Sequence, residues 1–179
     1  FIPHWSFIIP STIFSNYECI VFHMTDLPYG RGGSPLQNLI VRGHKTTMIS
    51  ALKVEKGIDT GAIYLKKPMQ LDGTATEIFN RLGYIVEQMI EEIINNRIVP
   101  QPQTGEPLVF RRRNREDGNI HDLDSLEMVY DYIRMLDADG YPRAFIETDH
   151  FIIEFENAQN EGDQINATAK ITMKQNNTK

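Results

Sequence analysis

Residues Glu18–Ile40 read ECIVFHMTDLPYGRGGSPLQNLI, and the order of side chains along them sets a strand, a turn and a helix. Glu18–His23 is a short β-prone run without turn residues, the pattern of a buried strand. Leu27-Pro28 stops it. Gly30–Gly33 then allows backbone conformations closed to other residues. Ser34 stands where it would cap a helix whose Leu36, Leu39 and Ile40 share one face, with an end expected near Gly43. A strand that carries a histidine to its C-terminal end, followed by a glycine-rich loop and a helix, is a β/α connection. In open α/β sheets, ligands bind in the crevice at that end of the strands.

Working outward, Ile8–Tyr17 suits a short helix or turn with Pro10 at its start, where a missing N–H costs little. Downstream, Thr46–Glu55 has β character. A glycine-containing turn, KGIDTG, leads to a second strand over Ala62–Met69. Thr74 and Glu77 form a capping-box signature. Behind it Ala75, Ile78, Phe79, Leu82, Val86, Met89, Ile90 and Ile93 recur at helical spacing to about Asn96, a stripe that belongs in the core. From Val99 to Gly118 prolines, glycines and the run RRRNRED predict an extended connection. A second helix is expected, capped by Asp124 and Glu127, with Leu126, Val129, Tyr130, Ile133 and Leu136 on one face. A hairpin around Asp149 and His150 and a last strand over NATAKITMK complete the chain. No internal repeat is visible. The division is therefore a β/α portion over residues 1–98, a linker over 99–118 and a small α+β subdomain over 119–179.

Hydrophobic residues make up 41% and charged residues 23% of the 179, with a formal net charge of -6. That is the composition of a globular domain with its own core. The acidic balance disfavours a broad nucleic-acid surface. A local basic cluster stands at Arg111–Arg113, suited either to phosphate contacts or to a charge network with Glu116 and Asp117. The single cysteine, Cys19, sits in an apolar run and reads as a small packing residue; nothing in cysteine usage points to an oxidising compartment. No run reaches the ~18 apolar residues of a membrane span. FIPHWSFIIP, broken by Pro3, His4, Ser6 and Pro10, lacks the form of a signal peptide or anchor. The expected location is cytoplasmic.

Two groups stand out for chemistry. His23 ends the first strand, and Asp59 lies in the GIDTG turn, 36 residues further on. An imidazole at a crevice serves as general base or oxyanion partner, and a carboxylate beside it orients it or takes its proton. Spacing alone leaves open the alternative of a structural histidine and a separate turn aspartate.

CIVFHMTDLPYGRGGSPLQNLIVRG, followed by KVEKGIDTGAIY, resembles the formyltransferases that use 10-formyltetrahydrofolate, and most closely their sugar-nucleotide branch. The resemblance covers residues 1–96 well and extends more loosely through FRRRNREDGNI and IRMLDADGYPRAF. It implies an α/β fold, the C-terminal portion of a Rossmann-like formyltransferase domain with a small α+β appendage. The family's first β/α repeats have no counterpart here, and the chain, opening at Phe1 without a methionine, is expected to be a piece of a longer protein. By the same resemblance His23 and Asp59 fall on the catalytic pair, and Leu27-Pro28 on the family's turn. The pterin would be held by Ile2, His4, Trp5, Glu55, Gly57 and Ile58, although a lone tryptophan such as Trp5 more often fills core space.

The acceptor would come from the side of Thr25, Arg31, Gly32, Gly33 and Ser34, with Arg31 either pairing a phosphate or standing as a loop charge. The implied partner is a nucleotide-linked amino sugar, with no metal, no membrane and no nucleic acid, and a homodimer is compatible. One departure matters. The family asparagine two residues before the histidine is Val21, and an isopropyl group cannot donate to a developing oxyanion. The Thr25 hydroxyl is the nearest candidate replacement. Two alternatives follow: a non-catalytic relative, or a formyl hydrolase in which water replaces the amine.

Overall fold

A computed structural model describes residues 1–3 and 7–174. The chain forms two compact units: Phe1–Asp72 with Ile78–Arg112, and Gly73–Glu77 with Arg113–Lys179.

The first unit is built on a three-stranded sheet. β1 (Ile20–His23), β3 (Thr46–Lys53) and β4 (Ile63–Gln70) lie in the order β1-β3-β4. The central position of β3 follows from its sequence: Ile49, Ser50, Ala51 and Leu52 are all buried, so neither face meets water. Both pairings are antiparallel, with His23 opposite Ser50 and Met48 opposite Pro68. The parallel character expected of a β/α unit survives on the other side of β1, where Ile2 bridges Val21 in parallel.

Between β1 and β3 run β2 (Tyr29–Gly32) and the helix α2 (Pro35–Ile40), while α1 (Ser11–Phe14) is one turn near the start. Leu27-Pro28 is cis. α3 (Ala75–Asn96) carries the predicted stripe, with Ile78, Leu82, Val86, Met89 and Ile93 buried. Its start is also as predicted: the Thr74 N–H donates to Glu77 Oε2 at 2.7 Å and the Glu77 N–H to Thr74 Oγ1 at 3.3 Å. Arg81 donates to the carbonyl of Gln70 at 2.7 Å and Lys67 pairs with Glu92 at 2.8 Å, so the helix is tied to β4 along its length.

Two local expectations fail here. Ser34 holds the N-cap position of α2, yet it sits in a left-handed conformation (φ 48°) and its side chain does not cap the helix. The stretch after α3 is more than an extended connection: β5 (Leu108–Phe110) pairs in parallel with β2. Phe110 is 2% exposed, with the Tyr29 ring edge-on and the Arg42 guanidinium above it. A buried aromatic of this size has enough apolar area to hold the strand in place.

In the second unit a 3-10 turn (Arg115–Gly118) is closed by a reciprocal Asn114–Asp117 capping box. α4 (Leu126–Arg134) follows, capped by Ser125, whose hydroxyl accepts from the Met128 N–H at 3.3 Å; the cap expected at Asp124 therefore falls one residue later. β6 (Ala144–Glu147), β7 (Phe151–Asn160) and β8 (Ile165–Met173) form an antiparallel sheet in chain order, with the hairpin around Asp149 and His150 where it was predicted. Arg113 donates to the carbonyl of Asp117 and lies over the Tyr132 ring, and Arg115 pairs with Glu147 at 3.3 Å.

Candidate active site

β1 delivers His23 to its C-terminal end, 9% exposed, where the chain turns sharply. The imidazole Nε2 lies 2.8 Å from the carbonyl oxygen of Gly30. A carbonyl only accepts, so Nε2 carries the hydrogen, and Nδ1 is the nitrogen left to gain or lose a proton. Nδ1 faces Asp59, 3.6 Å from Oδ2. The two groups that spacing alone could not join are thus side by side.

Asp59 reaches this position through an unusual backbone. Its φ is 53°, a left-handed conformation rare for a residue with a Cβ, in a turn that also contains Gly57 at φ 114°. At Gly61 a Cβ would fall 1.8 Å from the Lys53 carbonyl oxygen, so only glycine lets the turn close on β3. The Asp59 carboxylate accepts the Gly32 N–H at 2.8 Å through the same Oδ2 that faces the histidine. Gln103 fastens the turn from behind: its amide donates to the carbonyls of Asp59 and Gly61, both at 2.8 Å.

The loop between β1 and α2 is held from below. Ser50 Oγ donates to the carbonyl of Thr25 at 2.7 Å and accepts the Leu27 N–H at 3.4 Å. Thr25 is wholly buried, and its hydroxyl donates to the Gly30 carbonyl at 3.3 Å. That corrects its expected role: a side chain sealed in this way steadies the histidine's acceptor and is closed to an incoming substrate. Arg31, read either as a phosphate partner or as a loop charge, turns Nε and Nη2 to Gln103 Oε1, at 3.1 and 2.7 Å. Gly32 and Gly33 leave room, but the chain itself fills it. A Cβ at Gly32 would lie 2.5 Å from the Phe110 carbonyl oxygen, and one at Gly33 2.7 Å from the Arg112 Cα. These glycines admit β5 and the residues after it.

Of the residues expected at the pterin, Ile2 is half-buried and donates its N–H to Ile20 at 2.8 Å. Glu55, Gly57 and Ile58 are exposed on the turn, with Ile58 at 62% presenting an apolar side chain beside Asp59. His4 and Trp5 lie outside the described residues. Val21 and His23, two apart on β1, share one face of the strand, so the isopropyl group stands on the histidine's side. Among the described residues no group of three or more His, Cys, Asp or Glu could hold a metal, and no helix is long and apolar enough to cross a membrane. Sequence reasoning missed Gln103 and Ser50. Gln103 sits in no motif or periodic run, Ser50 is an unremarked position within the β run of Thr46–Glu55, and the partners of both are remote in sequence.

A family model described as the methionyl-tRNA formyltransferase C-terminal domain matches residues 115–172. The methionyl-tRNA formyltransferase of Rickettsia bellii is 33% identical over 128 residues, which are 68% of this chain and 42% of that protein. The solved methionyl-tRNA formyltransferase from Clostridium thermocellum superposes with a TM-score of 0.94 at 54% identity, over 96% of this chain and 76% of that one. A sugar N-formyltransferase from Shewanella shares the fold, with a TM-score of 0.63 at 17% identity over 79% of this chain and 61% of that one. Fold and site together define an α/β domain of the formyltransferase class. The chain belongs to the formyltransferase family. It spans about half the length of the curated relatives it matches, 42% for the Rickettsia bellii protein and 53% for the methionyl-tRNA formyltransferase of Rickettsia canadensis.

Proposed function

We propose that the protein transfers a formyl group from 10-formyltetrahydrofolate to a primary amine, with His23 and Asp59 handling the proton. The observation that carries this is the geometry of the pair: Nε2 fixed on the Gly30 carbonyl and Nδ1 turned to the Asp59 carboxylate. The neutral amine attacks the formyl carbon, forming the new C–N bond and a tetrahedral oxyanion. The bond from that carbon to N10 of the folate then breaks. The amine loses one proton, which His23 Nδ1 accepts, and N10 of the departing tetrahydrofolate regains one, so no net charge is left behind. Asp59 stabilises the imidazolium while it lasts. No metal takes part. The exposed turn of Glu55, Gly57 and Ile58 flanks the folate.

For the acceptor, we favour a nucleotide-linked amino sugar. From Arg113 to Lys179 the sequence has fourteen acidic residues against seven basic ones. Such a surface repels a phosphodiester backbone and favours a small acceptor over a transfer RNA. A cytoplasmic location fits this reading. A second reading rests on Val21: with an isopropyl group where the family has an amide, the chain is a relative that has lost catalysis.

The test is to incubate the native full-length protein with 10-formyltetrahydrofolate and a panel of amines, including nucleotide-linked amino sugars and methionyl-tRNA, and follow tetrahydrofolate release. Release that needs an amino sugar and disappears in His23→Ala is the expected result. Release without any amine points to hydrolysis, and formylation of methionyl-tRNA in preference to the sugars overturns the choice of acceptor. Turnover no different from that of His23→Ala sinks catalysis altogether.

A further inference from the structure

We infer that Gln103 is a positioning residue, the clamp that keeps the Asp59 carboxylate against His23. The inference deepens the proposed formyl transfer and rests on it for its kinetic consequences. A primary amide has two N–H donors and two acceptor lone pairs, and Gln103 uses all four. Both Nε2 hydrogens go to carbonyls, of Asp59 and Gly61. Both Oε1 lone pairs receive Arg31, through Nε and Nη2. The amide cannot be turned over: carbonyls only accept and a guanidinium only donates, so each end has one possible neighbour.

These bonds close a ring. From Gln103 it passes through Arg31 to the next residue, Gly32, whose N–H meets Asp59 Oδ2 at 2.8 Å, and from the Asp59 carbonyl it returns to Gln103. Asp59 is thereby fixed at two points, its backbone and its carboxylate. Two points are needed because its left-handed backbone (φ 53°) costs energy and relaxes unless its surroundings hold it. Gln103 lies 44 residues from Asp59 and 72 from Arg31, so nothing local does this work.

Gln103→Glu is the diagnostic change. It keeps the size and the acceptor for Arg31 but has no N–H for the two carbonyls, placing oxygen against oxygen beneath Asp59. In the full-length protein it should lower kcat about 10²-fold, the cost of misplacing a catalytic group by about 1 Å. The KM for 10-formyltetrahydrofolate should stay near its original value. In an Asp59→Ala background, Gln103→Ala should cost nothing further, because its whole effect passes through Asp59. Independently of turnover, hydrogen exchange should quicken over residues 54–62 and at Gly32 in Gln103→Glu, while β3 and α3 stay protected. Losses that multiply in the double variant, or exchange over 54–62 unchanged in Gln103→Glu, overturn the inference. An inactive wild-type protein would count against formyl transfer alone, since the exchange comparison still decides whether Gln103 holds the turn.

Discussion

Asp59→Asn separates the carboxylate's charge from its place in the fold. The asparagine carbonyl can still accept the Gly32 N–H, so the turn keeps its anchor, while the negative charge beside His23 is gone. The magnitude follows from the 3.6 Å between Nδ1 and Oδ2. Two unit charges at that distance attract by about 1 kcal/mol in water and about 5 kcal/mol at an effective dielectric of 20, and both side chains are largely buried. The imidazolium that forms as the amine is deprotonated should therefore be less stable by roughly 1 to 5 kcal/mol. That corresponds to a loss of roughly 5-fold to 5 × 10³-fold in the chemical step. Single-turnover formyl transfer at saturating acceptor reads this step directly, and urea unfolding of the same preparation checks the fold. A variant that keeps more than half the wild-type rate, with unchanged unfolding, would refute the idea that Asp59 acts by its charge on His23.

Gly32→Ala should destabilise the first unit by about 2 to 4 kcal/mol, since φ is +98° and the new Cβ would meet the Phe110 carbonyl. Gly43→Ala, at φ +79° with nothing within 4 Å, should cost only about 1–2 kcal/mol, so the difference in urea midpoints isolates the crowding by β5. Hydrogen bonds from Lys174 and Arg115 hold Glu147 below its ordinary value of 4.5. With the folded value the lower one, the stabilisation is complete above pH 4.5 and lost as pH falls through the folded value. Glu147→Gln should flatten that part of an acid unfolding profile. Burial, then the hydrogen bond to Glu18 and the charges of Glu18 and Glu55, pushes the Tyr64 phenol above its ordinary 10.0. Here the folded protein keeps a proton that the unfolded chain releases, so stability drains away as pH rises beyond 10. Tyr64→Phe should remove that alkaline slope, and an unchanged slope would exclude Tyr64 as its source.

What the sequence made legible was local. The histidine at a strand end, the glycine loop, and the α3 stripe with its Thr74–Glu77 box all depend on neighbours within a few residues, so composition and periodicity expose them. Asp59 was legible as a turn residue, and its meeting with His23 only through family likeness. Gln103 was invisible because a glutamine in an irregular, proline-containing connection has no period, and its four bonds reach 42 to 72 residues away. The same distance hid β5: three residues, Leu108–Phe110, in a proline- and arginine-rich stretch carry no strand pattern until β2 is there to pair with. Gly32 and Gly33 show how a correct observation can lead to the wrong neighbour. Their freedom was plain, but whether a ligand or the chain itself comes close depends on contacts that no short stretch contains. The shift from Asp124 to Ser125 at α4 is smaller in kind, a choice between two adjacent capping residues that the first turn of the helix settles.

The pairing of β2 with β5 also sets an order in time. Phe110 is made 87 residues after His23, which at ~5–20 residues per second is roughly 4 to 17 s of synthesis. Until then a growing chain can hold the β1-β3-β4 sheet, the histidine and the aspartate, but neither the strand that packs on the loop nor the amide that pins the turn. A chain that ended with α3 would thus hold its sheet with His23 and Asp59 lacking both restraints.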